Sequence, residues 1–504
     1  MPTPPDRYLF IPAQPTPNGP LHLGHIAGPY LSADIMRRHL RRMGHRTAVV
    51  LGIDRFDSHV VRSAKAERRT PTQSANSWTA RIVRDLDYFA IDIDCIAHAG
   101  DPVLERRLIA DAETLLEDLD AKGAIRVHRE FMPIAADGTG SAGYALLGAC
   151  PVCLSDMAGY FCEECANCIA PDELLNPRLP KDAHWEEREN LFLTAAAANW
   201  SHICQVLDGN ADPRGMLLPM ARRFRATGQE VRLTTIAAWG LQVPGRMDPG
   251  QVFFNSHSME YPRLGARVLD SAINPFAAGS DVVSVYCFGF DNSACVIGEL
   301  SLALSRPRGK GFDHYIGSHF LLLEGEKFST SRGYAIFVRD LERLSIPVDP
   351  LRLYLAGLDL GSGRANFRLA ELRRLNENLR AFWARAVASA KAAPSPVEAI
   401  RSPLKPAIAH LLMPGRARIA EAAILVVKWL IASRPKSGEE AEWLARAAAL
   451  LEPFMPNCAL ALGRAARDLN AEALMRATPA LSAETLGDVE KITARTSSTV
   501  ESTS

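Results

Sequence analysis

The chain is 504 residues long, and its 57 lysines and arginines balance 57 aspartates and glutamates. A formal net charge of zero excludes a uniformly basic surface, so a polyanionic partner has to bind at a local basic patch. The length predicts about three domains, and 47% hydrophobic with 23% charged residues is typical of a soluble globular protein.

The sequence predicts no membrane segment. The first seven residues lack a basic region followed by an apolar one, and no later stretch approaches about 20 uninterrupted apolar residues. We therefore expect a cytoplasmic protein, in which clustered cysteines indicate a metal rather than disulfides.

The first elements predict a β-α-β unit. Tyr8–Pro12 is a short apolar run followed by a loop rich in proline and glycine, and apolar residues then recur at helical spacing from Leu23 to Leu31. Thr47–Leu51 reads as a second buried strand, and Val282–Phe288 resumes this character much later. Such a unit favours a parallel sheet, which binds ligands at its carboxyl edge.

The remaining pattern predicts an α/β protein with a Rossmann-like parallel nucleotide-binding domain, a zinc-knuckle insertion and a C-terminal α-helical bundle. We place the two halves of the nucleotide-binding domain at 1–92 and 251–360, and the irregular, cysteine-containing insertion at 93–250. Residues 361–490 are rich in alanine, leucine and arginine at helical spacing, which indicates the bundle. A flexible tail is expected over 491–504.

The loop after the first strand carries two histidines, in the segment Pro17-Asn-Gly-Pro-Leu-His-Leu-Gly-His25. His22 and His25 share one face at a helix N-terminus, where unpaired N–H groups and a partial positive charge attract phosphate. They can stabilise charge that grows on an attacked phosphate, while Gly24 allows close approach of an adenine ring or of backbone. For a lone pair of histidines, an ordinary partly buried position would be the better interpretation.

A second loop, Gly325–Gly333, argues against the interpretation that His22 and His25 are ordinary partly buried histidines. Lysine is scarce, with 10 lysines among the 57 basic residues. An ordinary surface role is therefore disfavoured for Lys327, which lies in a loop of serine, threonine and glycine. Its ammonium and the hydroxyls of Ser329 and Ser331 are suited to follow a triphosphate as pyrophosphate leaves.

Together the two loops resemble the signatures of class I aminoacyl-tRNA synthetases. His22–His25 is similar to the HIGH motif, and Lys327–Ser331 is similar to the KMSKS loop. Three further segments resemble the methionyl-tRNA synthetase group, namely Trp239–Gly245 (WGxxVPG), Gly289–Asp291 (GKD) and Asp349–Tyr354 (DxLRYY).

This resemblance runs from about Tyr8 to Leu355. It implies an ATP-dependent ligase that joins an amino-acid carboxylate to AMP, releases pyrophosphate and transfers the acyl group to an acceptor, most simply the terminal ribose of a tRNA. It implies ATP with Mg²⁺ as the cofactor. The catalytic residues that it implies are His22, His25 and Lys327. The ATP-binding residues that it implies are Asn18, Gly24, Gly289, Asp291, Lys327, Ser329 and Ser331.

The amino-acid pocket departs from the family. By resemblance Asp54 should hold the substrate's α-ammonium, with Asp57 as a competitor. The tyrosine and tryptophan on which methionine selection depends in the family are replaced by Thr16 and Ser256. Small hydroxyl side chains favour a smaller or more hydrophilic amino acid over methionine.

Four cysteines predict a structural zinc site. Cys150-x2-Cys153-x8-Cys162-x2-Cys165 forms two CxxC knuckles, whose spacing suits four thiolates around Zn²⁺. The resembling family carries a zinc knuckle in the same insertion. Cys168 is a spare ligand that could replace Cys165, and loss of the metal in this homologue is the rival interpretation.

Two more departures concern charge and tRNA. Thr330 replaces the second lysine of the KMSKS pattern, so the transition state loses one cation unless an arginine such as Arg332 compensates. Residues 365–420 carry ten basic and three acidic residues, a local excess of seven. Four of the residues there resemble the start of the family's anticodon-binding bundle: Asn376, Asn378, Arg380 and Trp383. Alanines stand at 381 and 390, where the family has asparagines that read the anticodon.

Three functions remain open at this point. The first is a tRNA ligase. The second is a tRNA-independent amino-acid ligase of specialised metabolism, which uses a small amine or hydroxyl acceptor, for example in hydrazine-forming coupling to an N-hydroxylated amine. The third is a non-catalytic tRNA-binding paralogue, which retention of both signature motifs disfavours.

Overall fold

A computed structural model describes the chain over residues 7–98, 100–141, 143–254, 261–272, 274–328, 334–397, 406–469, 471–477 and 479–501. The strands are β1 (Arg7–Pro12), β2 (Arg46–Ile53), β3 (Cys95–His98), β4 (Ile125–Ala135), β5 (Leu147–Ala149), β6 (Asp156–Ala158), β7 (Leu175–Arg178), β8 (Ala183–Leu193), β9 (Val231–Arg232), β10 (Thr234–Ile236), β11 (Gln251–Phe253), β12 (Val282–Gly289), β13 (His314–Ser318), β14 (Leu321–Leu323), β15 (Glu326–Lys327) and β16 (Ala365–Phe367).

The helices are α1 (Leu23–His25), α2 (Leu31–Arg42), α3 (Ser58–Glu67), α4 (Pro71–Tyr88), α5 (Pro102–Ala121), α6 (Ala195–Ala198), α7 (Trp200–Val206), α8 (Leu218–Thr227), α9 (Tyr261–Val268), α10 (Ser293–Ser305), α11 (Val338–Arg343), α12 (Val348–Ala356), α13 (Leu369–Ala392), α14 (Pro406–Leu411), α15 (Ile419–Ala432), α16 (Glu440–Leu451), α17 (Pro456–Asp468), α18 (Ala471–Arg476) and α19 (Ala483–Glu501). Within the described residues, none of these helices combines the length and the hydropathy needed to cross a membrane.

The chain forms two compact units that alternate along the sequence. The first unit comprises the residues up to Gly19, Ala48–Ile82 and Ile93–Gly317, and the second comprises Pro20–Thr47, Val83–Asp92 and the residues from Ser318 onward. The five domain ranges predicted from the sequence divide the chain more finely and stay a prediction. The last helix, α19, extends through most of the range predicted to be a flexible tail.

The first unit carries the predicted parallel sheet. Its strand order is β13-β12-β1-β2-β3, with β1 parallel to β12 and β2 parallel to β3. Strand β1 is apolar and almost wholly buried because it lies inside the sheet, which explains its uninterrupted hydrophobic run. The predicted α/β class and parallel sheet are thus confirmed.

The first unit also contains antiparallel strands, between β3 and β12 in the sequence. Strands β4 and β8 pair over eleven residues each, and β9 extends this sheet. A second small sheet, in the order β6-β5-β7, is formed by strands that adjoin the cysteine knuckles in the sequence. A separate apolar cluster supports this region, with Leu146, Cys150, Cys162 and Leu174 among its buried members.

The second unit is mainly helical, as the sequence predicted for the C-terminal part. Its small sheet has the order β15-β14-β16, in which β14 pairs antiparallel with β15 and parallel with β16. The long helix α13 buries a stripe that includes Leu372, Leu379, Phe382 and Ala386, which is the spacing of a helix packed in a bundle.

One fully buried arginine joins distant segments of this second unit. Arg352 uses all five of its N–H donors. They bond the Asp34 carboxylate and the carbonyl oxygens of four further residues, which are Phe89, Ala90, Pro453 and Phe454. The DxLRYY-like segment is therefore structural in this chain, and Asp349 of the same segment accepts bonds from Asn457 and from the backbone N–H of Cys458.

Candidate functional site

The two signature histidines are stacked at the start of α1. Their ring centroids are 3.7 Å apart and the ring planes differ by 16°. His22 caps the helix, because its Nδ1 accepts from the backbone N–H groups of Gly24 (3.1 Å) and His25 (3.4 Å). The Nδ1 of His25 accepts in turn from the backbone N–H of His22, at 3.2 Å. This reciprocal capping fixes both rings.

The capping bonds also fix where the ring protons are. Burial lowers the pKa of His22 well below its ordinary value, and the neighbouring His25 lowers it further. Surrounding protein atoms lower the pKa of His25 to about 4, although this residue is exposed at the surface. Both rings are therefore neutral near pH 7, and since each Nδ1 is an acceptor, the single proton of each ring is on Nε2. The pair offers two Nε2–H donors.

Gly24 is required by the ring of His22 itself. A Cβ atom at position 24 would lie 2.9 Å from Cε1 and 3.0 Å from Nδ1 of His22, which is too close without a shift of the ring. The ring of His22 also contacts Phe328 (5.2 Å between centroids) and Phe337 (6.4 Å). The sequence predicted that this glycine clears space for a ligand, which stays a prediction, and the structure shows that it clears space for the imidazole of His22.

Lys327 lies in the same compact unit as the histidines. It ends a hairpin in which Leu322 pairs with Lys327 and Leu323 with Glu326. The turn residues Glu324 and Gly325 both have positive φ, 47° and 101°, as a two-residue hairpin turn requires. The Nζ of Lys327 lies 4.3 Å from the centroid of the Phe320 ring. Ser329, Thr330, Ser331 and Arg332 lie outside the described residues.

The first unit carries the carboxylates predicted to bind the amino acid. Asp57 caps α3, accepting from the backbone N–H of His59 at 2.6 Å and contacting its Nδ1 at 2.9 Å. Burial alone would raise the pKa of Asp57, but the bonds from His59 and from the Thr16 side chain outweigh it and lower that pKa. Burial raises the pKa of Asp54 well above its usual value, and the carboxylates of Asp57 and Glu299 add to the rise.

These opposite shifts distinguish the two competing aspartates. Asp57 is ionised and already has partners within the protein. Burial disfavours the charged form of Asp54, and an incoming ammonium group would favour it. The pKa directions agree with the prediction that Asp54 receives the substrate's ammonium, and it stays a prediction.

Neighbouring segments hold this region in place. The indole Nε1 of Trp239 donates to the carbonyl oxygen of Arg55 at 2.8 Å, so the WGxxVPG-like segment supports the loop that carries Asp54.

Among the other predicted site residues, Asp291 follows β12 in a 3₁₀ turn, and a Cβ atom at Gly289 would lie too close to the Oδ1 of Asp291. The carbonyl oxygen of Asn18 accepts from Ser63. Ser256 lies outside the described residues.

The four predicted cysteines do come together. Their sulfur atoms lie within 4.8 Å of one another, with 3.7 Å between Cys150 and Cys165 and 3.6 Å between Cys153 and Cys162. A tetrahedron with Zn–S bonds of about 2.3 Å requires sulfur separations of about 3.8 Å, so the group can hold zinc. The spare Cys168 is not part of the cluster and packs against the main core of the first unit.

The two knuckles share one backbone shape. Leu154 and Ala166 each follow the second cysteine of a knuckle with positive φ, 64° and 53°. Each donates its backbone N–H to the carbonyl oxygen of the first cysteine of its knuckle. Matching turns of this kind explain why two short CxxC segments present their thiols to one point.

The cysteine cluster leads to a prediction about metal content. Cys153→Ser should release zinc from the purified protein and lower its thermal stability, because three thiolates no longer close the tetrahedral shell. Elemental analysis and thermal unfolding would measure both. Cys168→Ser is the matched control, and we expect it to retain one zinc per chain. Equal zinc loss from both variants would contradict the assignment.

Three of the four α13 residues that resemble the family's anticodon-binding bundle have partners within the second unit. Asn376 is 2% exposed; its amide donates to the carbonyl of Leu481 and accepts from that residue's N–H. Arg380 donates to the same carbonyl at 2.6 Å. The indole of Trp383 donates to the carbonyl of Leu474. Leu474 of α18 and Leu481, just before α19, thus engage these three side chains.

Comparisons with known proteins agree with the geometry. The sequence matches a family model described as tRNA synthetases class I (M) over residues 9–255 and 308–388. The methionine--tRNA ligases of Salinispora arenicola and Salinispora tropica are 28% and 29% identical to it, over 407 and 410 residues. Each of these matches covers 74% of this chain and 66% of the relative. The chain thus spans slightly less than two thirds of their length.

A more distant relative and a solved structure extend the comparison. The methionine--tRNA ligase of Thermoplasma volcanium is 28% identical over 398 residues, which cover 73% of this chain and 69% of that protein. The structure of Mycobacterium tuberculosis methionyl-tRNA synthetase in complex with methionyl-adenylate is similar with a TM-score of 0.63. That match covers 91% of this chain and 93% of the other at 16% identity, so it establishes a common fold.

Proposed function

Because the chain belongs to the class I tRNA synthetases of the M type, we propose that it activates an amino acid with ATP and transfers the aminoacyl group. An oxygen of the amino-acid carboxylate attacks the α-phosphorus, an aminoacyl adenylate forms, and pyrophosphate leaves. The acceptor then attacks the acyl carbon and releases AMP. ATP acts with Mg²⁺ in this proposal.

The stacked histidine pair carries the proposal. Two neutral imidazoles with Nε2–H donors, fixed by reciprocal capping, are preorganised to stabilise charge that grows on phosphate oxygens during attack. Lys327, in the same compact unit, supplies a full positive charge for the departing pyrophosphate. Asn18, Gly24, Gly289 and Asp291, with Ser329 and Ser331, are proposed to bind ATP.

Exchange of labelled pyrophosphate into ATP across a panel of amino acids tests the activation step. We expect a small or hydrophilic amino acid to support exchange better than methionine does, since Thr16 and Ser256 replace two aromatic residues of the family pocket. If no amino acid supports exchange, the proposed activation is wrong.

Asp54 is proposed to hold the α-ammonium of the substrate. Asp54→Asn should raise the KM for the amino acid by about ten- to a hundred-fold, the size of a lost charge-assisted hydrogen bond, and leave the KM for ATP nearly unchanged. Asp57→Asn is the control, because asparagine also caps helices. A larger effect at position 57 than at position 54 would reverse the assignment.

The acceptor is proposed to be tRNA, by analogy with the relatives named as methionine--tRNA ligases. One observation favours a second candidate, a small amine or hydroxyl acceptor. Alanines stand at 381 and 390, where the family has asparagines that read the anticodon, so these two positions offer no side-chain amide to the bases. Retention of labelled amino acid on total tRNA separates the two, and charging would exclude the second. A cytoplasmic location remains part of the proposal.

A further inference from the structure

The aromatic ring of Phe320 is approached by two cations. The Nζ of Lys327 lies 4.3 Å from its centroid, and the Cζ of Arg364 lies 5.8 Å from the same point. Cation–π attraction holds a guanidinium or an ammonium near a ring at such distances. Both basic side chains are thereby held near the ring of Phe320.

The sheet register explains why these residues meet. Leu321 of β14 pairs with Ala365 of β16, so the preceding residues, Phe320 and Arg364, are neighbours at the start of two parallel strands. The backbone N–H of Ala365 donates to the carbonyl oxygen of Phe320. Leu322 of β14 pairs with Lys327 on the other side. Three adjacent strands therefore bring Arg364 and Lys327, which are 37 sequence positions apart, to the same aromatic ring.

This arrangement matters because the signature loop lacks a cation. Thr330 stands where the resembling family has its second lysine, and a departing pyrophosphate carries more negative charge than one ammonium offsets. We propose that Arg364 supplies this second positive charge and contacts the β- and γ-phosphates of ATP beside Lys327. The inference rests on the proposed activation of an amino acid by ATP.

Another arginine provides the competing assignment. The Cζ of Arg339 lies 5.1 Å from the ring centroid of Phe337, which neighbours His22. Arg339 is thus also an exposed arginine on a phenylalanine, but on a different ring from Lys327. Arg364 is favoured because it shares its ring with the lysine whose partner charge is missing.

Calorimetric binding of ATP and pyrophosphate exchange test the inference with four variants: Arg364→Gln, Arg364→Lys, Arg339→Gln and Thr330→Lys. Arg364→Gln should weaken ATP binding by about ten-fold and raise the KM for pyrophosphate by at least as much. The KM for the amino acid should not change. Arg364→Lys should recover part of both losses, since it restores charge without the planar fork.

A double variant gives the sharpest outcome. Thr330→Lys rebuilds the family's second lysine, so it should rescue Arg364→Gln toward wild-type ATP affinity while improving the wild type little. Unchanged ATP affinity and pyrophosphate KM in Arg364→Gln would overturn the inference, as would a larger loss in Arg339→Gln. If the wild-type protein binds ATP but exchanges no pyrophosphate, the proposed function is wrong. The comparison of ATP affinity between the wild type and Arg364→Gln still tests the role of Arg364 in that case.

Discussion

Replacement of His22 by asparagine is expected to lower pyrophosphate exchange by about a hundred- to a thousand-fold, the usual effect of losing one preorganised donor to a developing charge. Asparagine caps helices well, so α1 should keep its start while the Nε2–H donor disappears. The loss should appear in kcat, because the donor is needed most as charge grows on the phosphate. Steady-state exchange at saturating ATP and amino acid measures it.

The controls for this prediction separate folding from chemistry. His45→Asn changes a histidine of the same compact unit that has no role in the proposed site, and it should retain wild-type exchange. Thermal unfolding of His22→Asn should match the wild type within a few degrees. Exchange within three-fold of wild type, about 0.6 kcal/mol in the barrier, would show that His22 doesn't act on the phosphate.

Buried strands were the best-predicted part of the fold. The apolar runs Tyr8–Pro12, Thr47–Leu51 and Val282–Phe288 correspond to β1, β2 and β12 within two residues at each end. Strands inside a parallel sheet are covered on both faces, so their hydrophobic runs are continuous and easy to recognise. The cysteine knuckles could be predicted equally well, because local CxxC turns position the thiols independently of distant residues.

The sequence indicated which residues to consider for the candidate site, but not the contacts that these residues make. The spacing of His22 and His25 indicated a shared face, but their reciprocal capping, and hence the position of each proton, required coordinates. The comparison of Asp54 with Asp57 depends on hydrogen bonds that His59 and Thr16 make to Asp57. The sequence spacing of these residues did not predict those bonds. The engagement of α13 by the carbonyls of Leu474 and Leu481 joins positions about a hundred residues apart.

Arg352 lies in a segment that the sequence analysis identified, but its role could not be predicted from the sequence. Its segment resembled a family motif, and the motif alone did not say whether the arginine binds a ligand or holds the fold. The structure gives it zero exposure and an ion pair with Asp34, a residue 318 positions away. Its five donors all have protein partners, which leaves no N–H of this side chain for a substrate.

Substitution of Arg352 by methionine should therefore destabilise the second unit by about 3–5 kcal/mol, the usual loss when one partner of a buried ion pair is removed. Asp34 would remain buried with Arg38 as its other cationic partner, and four carbonyl oxygens would lose a donor. Arg352→Lys should lose most of the same stability, because an ammonium has three donors and no planar fork. Urea unfolding followed by circular dichroism would show an earlier transition.

An exposed arginine of the same unit provides the comparison for this loss. Arg84 pairs with Glu342 at 3.0 Å, but its side chain is 67% exposed. Arg84→Met should therefore shift the urea transition by an amount equivalent to less than about 1 kcal/mol. If Arg352→Met and Arg84→Met unfold at the same urea concentration, the buried arginine contributes no more than a surface ion pair, and its five bonds must be offset by the free energy of desolvating the guanidinium.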